Sequence, residues 1–228
     1  RPAVIFGSDG LEGCEHSAFE ILSNSVDEAR EGYGDRINMT VYSDHSIEVE
    51  DFGRGVPLDW NEKEQRYNWE LVYCELYAGG KYNVGGEDSS YEFSLGLNGL
   101  GAASTQYASE YMQVRSYRDG EMYEMNFKKG CPVGELTATP LTKKDKKTGT
   151  TVCWKPDSEV FTDINVGKEY YTTMLDRQAM VNPGVKFVFR WENEDGTFEE
   201  HEYYYENGIA DYIAAAAGET SLTADRKS

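Results

Sequence analysis

A series of strand-like segments joined by short turns most strongly limits the folds open to this chain. Alternating apolar and polar residues predict strands over 110–117, 121–128, 133–139 and 150–155. Asp119-Gly120 supplies a tight hairpin turn between the first two of these strands. The pairs 37–41 with 47–51 and 185–192 with 197–205 predict two further hairpins. Because hairpins join antiparallel neighbours, the sheet is expected to be mostly antiparallel.

Helices are predicted in the stretches between these groups of strands. Apolar spacing indicates helices over 11–33, 68–77, about 100–108, 167–179 and 209–217. The regular strand–helix–strand alternation of a doubly wound fold is missing. We therefore expect an α+β fold, a two-layer sandwich of a mixed, mostly antiparallel sheet with helices on one face. A single domain over 1–218 and a frayed tail over 219–228 complete this expectation.

Composition excludes several classes of protein and of site. A net charge of -19 disfavours direct binding of duplex nucleic acid, which relies on lysine and arginine. The basic run 143–147 is then best explained as a solvated loop. No apolar stretch reaches the roughly 20 residues of a membrane span, and no signal peptide is visible. Four scattered cysteines and three histidines disfavour a zinc site and indicate reduced thiols, so we expect a cytoplasmic protein.

The helix predicted over 11–33 has a polar face opposite its apolar stripe. Glu20, Asn24, Asp27 and Glu31 lie at i, i+4, i+7 and i+11. A carboxylate can orient and deprotonate a water, and an amide oxygen one turn away can bind a hard cation such as Mg²⁺. A polar solvent-facing surface explains the same residues, and Ser17 with Glu20 also matches a helix-capping box. The helix alone leaves both explanations open.

The segment Asp51-Phe52-Gly53-Arg54-Gly55-Val56-Pro57 follows a predicted strand. A carboxylate there can accept a hydrogen bond from an exocyclic amine such as that of adenine, and the glycines allow a flat ring to approach the backbone. Aspartate and glycine also favour an ordinary turn after a strand. The spacing favours a binding site only modestly.

Residues 78–101 hold seven glycines and lead into a predicted helix. Backbone N–H groups at such a helix start can converge on phosphate oxygens. The segment is not a P-loop, because no Lys-Ser or Lys-Thr follows Gly101, and no apolar strand precedes Gly96 as a Rossmann turn requires. The later Gly149-Thr150 pair is weaker still, since it could simply begin a strand.

These elements occur in an order that resembles the GHKL ATPase superfamily. Within it, Glu20–Ala29 is similar to the "E-x-x-D-N-x-x-D-E-A" helix found in the ATPase subunits of bacterial type II topoisomerases, gyrase B and topoisomerase IV B. Further segments match that family in the same order along the chain. They are Arg1-Pro2 before a short strand, Ala78–Tyr82, Ser90-Tyr91, Lys147–Thr150 and Tyr205–Ile209. The resemblance spans nearly the whole chain and implies the GHKL fold.

The resemblance implies an ATP site with Mg²⁺ as the metal. Glu20 would be the general base, and Asn24 would ligate the metal that bridges the phosphates. Asp51 would bind the adenine amine, with Gly55 and Thr150 nearby.

The resemblance also implies further residues around the bound nucleotide. Arg54, Val56 and Pro57 would border the adenine pocket, and Glu28 would pair with Arg54. A nucleotide lid over about 76–101 would bring Tyr91 to the adenine. The groups that would cradle the phosphates are Lys81, Leu97, Asn98, Gly99, Leu100 and Gly101.

Three positions depart from the family pattern. Ser23 replaces the usual aspartate before Asn24, and Leu95 replaces a usual glycine. Glu124 is assigned to the position where many gyrases carry an arginine that contacts aminocoumarins, which predicts weak aminocoumarin binding. The family's N-terminal arm and its transducer domain, which supplies a lysine to the γ-phosphate, are absent from the sequence, so we expect an excised domain with weak turnover.

The family implies partners beyond this chain. They are a second copy of the same subunit, the gyrase A or topoisomerase IV A protein, DNA bound through other domains, and inhibitors of the ATP site, with no membrane association. The sequence does not separate gyrase from topoisomerase IV. The alternatives are a MutL-like or Hsp90-like ATPase, a nucleotide-sensing module without turnover, and a phosphotransfer kinase.

Overall fold

The computed structural model describes residues 2–76 and 101–225. The helices are α1 Pro2–Phe6, α2 Leu11–Arg30, α3 Asn68–Tyr73, α4 over residues 101–107, α5 Lys168–Val181 and α6 Ile209–Asp225. The first five strands are β1 Arg36–Val41, β2 Ile47–Asp51, β3 Trp60–Asn61, β4 Arg66–Tyr67 and β5 Ser109–Arg118. The other five are β6 Glu121–Lys128, β7 Cys131–Pro140, β8 Gly149–Pro156, β9 Lys186–Glu192 and β10 Phe198–Tyr203.

Eight of these strands form one sheet in the order β10-β9-β1-β2-β8-β5-β6-β7. Every pair is antiparallel except β1 with β9, where Arg36 lies opposite Lys186. The predicted α+β class and the mixed, mostly antiparallel sheet are therefore confirmed. The three predicted hairpins are confirmed too, because local turns set their pairing.

One face of the sheet carries the hydrophobic core. Met39, Val49, Val152 and Val114 lie side by side across four neighbouring strands and are almost fully buried. Helix α2 packs on the middle of this face, and α5 packs beside it, where Tyr171 stacks on Phe189 at 5.9 Å. Helices α2 and α5 thus cover the same face, as the sandwich requires.

The other face of the sheet is polar and carries opposed charges on adjacent strands. Arg115 lies directly opposite Glu124, with 2.8 Å between Nε and Oε1. Arg190 lies opposite Glu200 in the same way, at 3.8 Å. Such half-exposed pairs contribute about 0–1 kcal/mol each, so this face adds little to stability.

Several local predictions were wrong or incomplete. Residues 2–6 form helix α1 rather than a short strand, because proline suits the first helical position and Phe6 packs against Phe161 at 5.8 Å. The short β3–β4 hairpin was not predicted, since its two-residue strands carry no periodicity. Helix α6 continues past residue 217 to Asp225, since the alanine run before Gly218 favours helix. No helix among residues 2–76 and 101–225 is long and apolar enough to cross a membrane.

Candidate functional site

A cleft opens between α2, α3 and the ends of β2 and β8. It encloses about 530 Å³, a figure that includes space open to solvent. Its lining residues are Ile21, Asn24, Ser25, Asp27, Glu28, Asp51, Val56, Val72, Tyr73, Thr150 and Val152. Polar groups of α2 and β2 therefore face apolar side chains of α3 and β8.

Asp51 is held at the end of β2 by three hydrogen-bond donors. The backbone N–H groups of Gly53 and Thr150 donate to Oδ1 at 3.0 and 3.1 Å, and the Ser25 hydroxyl donates to Oδ2 at 2.6 Å. Oδ1 is thereby saturated, whereas Oδ2 keeps acceptor capacity for a ligand. Burial raises the pKa of the Asp51 carboxyl, and the three donors oppose that rise.

Two glycines allow the chain to pass closely behind Asp51. Gly55 has φ +86, and a Cβ there would lie 2.6 Å from the Tyr117 carbonyl oxygen. Gly149 has φ +139, and a Cβ there would overlap the Asp51 carbonyl oxygen. The next residue, Thr150, accepts a 2.8 Å hydrogen bond from the Val56 N–H. Both glycines therefore allow close packing of backbone on backbone, whereas the predicted approach of a flat ring to Gly53 and Gly55 stays a prediction.

Glu28 and Arg54 form the predicted ion pair. Arg54 donates to Glu28 from its backbone N–H at 3.0 Å and from Nε and Nη2 at 3.2 and 2.6 Å. The guanidinium lies 3.9 Å from the Tyr33 ring centroid. Both side chains of the pair are about 90% buried, so the pair fixes the loop after β2 to α2.

Not every residue predicted to border the pocket lines the cleft. Glu28, Val56 and Thr150 are among its lining residues. Arg54 instead lines a neighbouring groove, because its ion pair turns the guanidinium toward Tyr33. Gly55 and Pro57 are buried behind the cleft and support it without lining it.

Glu20 lies one turn before Asn24 on α2, and its environment suits a general base. Burial raises the pKa of the Glu20 carboxyl, and His16, with Nε2 3.4 Å from Oε1, lowers it. A Cβ on Gly101, the first described residue of α4, would overlap Glu20 Oε2. A side chain at position 101 would therefore have to displace the Glu20 carboxylate.

Asn24 presents an amide oxygen with no visible function in the fold. Its Oδ1 is buried and has no hydrogen-bond partner among the described residues. Leaving a buried acceptor unpaired costs about 1–3 kcal/mol. An amide oxygen is a ligand that Mg²⁺ accepts, so the side chain fits the predicted metal.

The capping alternative for Glu20 is wrong. Helix α2 begins at Leu11 after Gly10, so Ser17 lies inside the helix, and its hydroxyl donates to the Cys14 carbonyl at 2.7 Å. Glu20 therefore cannot be the third residue of a capping box.

Six predicted site residues fall outside the described residues. They are Lys81, Tyr91, Leu97, Asn98, Gly99 and Leu100.

The position assigned to Glu124 was wrong. Glu124 pairs with Arg115 on the polar face of the sheet, away from the cleft. The arginine beside the site is Arg118, whose Nη1 donates to the Gly55 carbonyl at 2.7 Å and which shares a groove with Arg54. Successive strand residues alternate between faces, so the expected charge reversal does not reach the site. The basis for predicting weak aminocoumarin binding is lost.

Sequence reasoning missed several residues of the site. Ser25 lies next to Asn24, but its role requires the 26-residue separation from Asp51 to be closed in space. His16 could have been found, because it lies four residues before Glu20 on the same helix. Tyr73 and Val72 carry no local signal, since an apolar helix face is typical of ordinary core.

Comparisons with known proteins agree with this geometry, although no protein-family profile matches the chain. The DNA gyrase B protein of Thermotoga maritima is 37% identical over 215 residues, 93% of this chain and 32% of that protein. The Synechocystis gyrase B protein is 35% identical over 228 residues, 99% and 20% of the two chains. A Staphylococcus aureus gyrase B protein is 36% identical over 216 residues, 93% and 32%. The chain thus spans at most about a third of these relatives.

A solved structure is similar as well. The 43K ATPase domain of Thermus thermophilus gyrase B, in complex with an aminocoumarin, superimposes with a TM-score of 0.79 at 30% identity. The match covers 95% of this chain and 53% of that one.

Proposed function

The chain is a homologue of the ATPase domain of DNA gyrase B, and we propose that it binds ATP in the α2–β2 cleft and hydrolyses it. The observation that carries the proposal is the pairing of a buried, hydrogen-bonded Asp51 with a Glu20 carboxylate and an unpartnered Asn24 amide oxygen along one helix.

Adenine binding is assigned to the Asp51 end of the cleft. Oδ2 is the oxygen left to accept from the exocyclic amine, because Oδ1 already accepts two N–H groups. Val56, Val72 and Val152 supply apolar surface for the ring faces. A carboxylate in this place repels the carbonyl oxygen that guanine carries instead of an amine, which favours ATP over GTP.

Hydrolysis is assigned to Glu20. Its carboxylate accepts a proton from a water as the water oxygen attacks the γ-phosphorus, and the bond to the bridging oxygen of ADP breaks. Burial against Gly101 keeps the pKa of the carboxyl raised, which brings it closer to neutral pH and makes it a better base.

Asn24 would hold Mg²⁺ through Oδ1, an oxygen ligand of the kind this hard cation prefers. When bound, the metal neutralises charge on the phosphate oxygens. In the glycine-rich segment, Lys81, Tyr91 and residues 97–101 remain proposed contacts to the phosphates and the base.

In the whole protein we infer that ATP drives DNA strand passage by a cytoplasmic type II topoisomerase of the gyrase or topoisomerase IV kind. The partners would be a second copy of the same protein and the gyrase A or topoisomerase IV A protein, with DNA held by other domains. ATP-site inhibitors such as aminocoumarins would bind here, with Arg54 and Arg118 beside the cleft.

The second candidate is a module that senses nucleotide without turnover. Glu20 argues against it, because burying a carboxylate beside the proposed phosphate site has a cost that mere binding does not require.

Replacing Glu20 with alanine separates the two functions. We expect Glu20→Ala to keep ATP affinity within about threefold and to lose turnover by about 100-fold or more. Glu12→Ala, on an exposed turn of the same helix, is the matched control. Unchanged hydrolysis in Glu20→Ala would refute the assignment of Glu20 as the base. A parent chain that neither binds nor hydrolyses ATP would refute the proposed function.

A further inference from the structure

Three consecutive side chains of α4 each hold a backbone carbonyl of another element. The Thr105 hydroxyl donates to the Ser17 carbonyl of α2 at 3.0 Å. The Gln106 amide donates to the Tyr73 carbonyl at 2.9 Å, and the Tyr107 hydroxyl donates to the Cys74 carbonyl at 2.6 Å. We refer to Thr105, Gln106 and Tyr107 as the α4 clamp.

The clamp joins the two sides of the glycine-rich stretch. Tyr73 and Cys74 lie at the end of α3, just before it, and α4 lies just after it. The last carbonyls of a helix need partners from elsewhere, and those of α3 find them on α4. Gln106 is fully buried and also donates to the Gly130 carbonyl at 3.4 Å, so it ties α3, α4 and the β6–β7 turn together.

The bonding of Gln106 is incomplete in one respect. Its Oε1 is buried and has no hydrogen-bond partner among the described residues. An apolar side chain of similar size would fill the same space without that cost. An amide at this position is explained if the hydrogen bonds of Nε2, to the Tyr73 and Gly130 carbonyls and more weakly to Cys74 Sγ, fix the position of α4 rather than add stability.

The hydrogen bonds of the α4 clamp fix the position of Gly101 relative to the Glu20 carboxylate. Ser17, which Thr105 holds, lies three residues before Glu20 on α2, and Gly101 touches the Glu20 carboxylate. From these contacts we infer that Gln106, with its clamp neighbours, is a positioning residue for ATP hydrolysis. It sets where the start of α4 stands relative to the general base. The inference rests on the proposed function.

A displacement of about 1 Å near reacting groups can lower a rate by about 100-fold. Gln106→Met keeps a similar side-chain volume and removes every hydrogen bond of Nε2, and we expect turnover to fall by about 10- to 100-fold. Affinity for a non-hydrolysable ATP analogue should stay within about threefold, because Asp51 holds the adenine at the other end of the cleft.

A rescue pair is available at the neighbouring position. Thr105→Val removes the hydroxyl with little change in shape, whereas Thr105→Ser keeps it, so turnover should fall in the first and return in the second. Gln113→Met is the control, since it removes a 3.2 Å hydrogen bond to Asn126 on the polar face of the sheet. If Gln106→Met does not fold, Tyr107→Phe replaces it, because Tyr107 is half-exposed and the change removes only its hydroxyl bond to the Cys74 carbonyl.

Turnover, analogue affinity and amide hydrogen exchange are measured on the same variants. The inference requires lower turnover at constant affinity, and faster exchange of residues 101–107 without faster exchange of β5 and β6. It is overturned if Gln106→Met or its substitute keeps full turnover, if Gln113→Met loses as much, or if affinity falls in parallel. The exchange result needs no nucleotide, so it separates failure of the clamp from failure of the proposed ATPase.

Discussion

The proposed adenine end of the cleft and the proposed hydrolytic end, where Glu20 lies one turn before the cleft-lining Asn24, share helix α2 but differ in how their polar atoms are bonded. At the adenine end, Asp51 accepts three hydrogen bonds and Glu28 accepts three from Arg54. At the hydrolytic end, among the described residues, Asn24 Oδ1 has no partner and the Glu20 carboxylate has a single polar contact, with His16 at 3.4 Å. The first end is hydrogen-bonded apart from the spare acceptor capacity of Asp51 Oδ2, and the second is left open.

The difference fits the role proposed for each end. A recognition group works best when its position is fixed before the ligand arrives, because ordering it then costs no binding free energy. A base and a metal ligand must keep lone pairs free for water and cation. The cost of leaving them free is visible as the raised pKa of Glu20 and the unpaired Asn24 oxygen.

The largest effect is expected at the hydrolytic end, where Asn24 has an unpartnered oxygen among the described residues. Asn24→Leu removes the amide oxygen at similar volume, and we expect turnover to fall by about 100-fold or more, since the metal supplies several kcal/mol to such reactions. Turnover measured against Mg²⁺ concentration checks this. Asn38→Leu, on the polar face of the sheet, is the control. Equal Mg²⁺ dependence in Asn24→Leu and the parent chain would contradict the assignment.

The next largest effect is expected at the hydrogen-bonded adenine end, at Asp51. Asp51→Asn places an amide among three donors and weakens acceptance from adenine, so we expect nucleotide affinity to fall by about 30-fold, or about 2 kcal/mol. Calorimetric titration with ADP measures it. Asp119→Asn, in the exposed β5–β6 turn, should leave affinity unchanged. If Asp51→Asn keeps the parent affinity for ADP, the proposed contact between Asp51 and the adenine amine is wrong.

The pH dependence of turnover sharpens the contrast between the ends. Burial raises the pKa of Glu20, so protonation of the base should begin at a pH above the ordinary glutamate pKa of about 4.3. As the pH is lowered below the raised pKa, turnover should fall about tenfold per pH unit. His16 lowers that pKa, so His16→Ala should move the limb to higher pH, because the ionised carboxylate loses a favourable neighbour. A limb that moves to lower pH in His16→Ala would count against the base.

The smallest effect concerns the polar face of the sheet. Glu124→Ala breaks a half-exposed pair and should change nucleotide and aminocoumarin affinity by less than about twofold. Arg118→Ala, beside the cleft, should weaken aminocoumarin binding more than Glu124→Ala does. Binding measured side by side decides between them, and a larger effect at Glu124 would restore its assignment to the inhibitor site.

Much of the fold could be predicted because its hairpins are local. Turns such as Asp119-Gly120 and alternating strands set β5 with β6 directly from neighbouring residues. The parallel pairing of β1 with β9, with Arg36 opposite Lys186, could not be predicted, because it depends on how α2 and α5 pack on the sheet. The α1 helix was missed because five residues give too little periodicity.

The relative placement of the candidate site residues was predictable where they lie at a regular spacing on one helix, as Glu20 and Asn24 do. It was not predictable where two elements must meet, as in the bond from Ser25 to Asp51 or the contact of Gly101 with Glu20. Glu124 and Arg118 show a further limit. Assigning a strand residue to a site requires its register, and an odd shift turns the side chain to the other face.

A crystal structure with Mg²⁺ and a non-hydrolysable ATP analogue tests the contrast between the two ends most directly. We expect the adenine amine within hydrogen-bond distance of Asp51 Oδ2, with the three existing donors to Asp51 unchanged. We also expect Mg²⁺ bound to Asn24 Oδ1 and a water between Glu20 and the γ-phosphate. A metal held without Asn24, or a purine bound away from Asp51, would contradict these assignments.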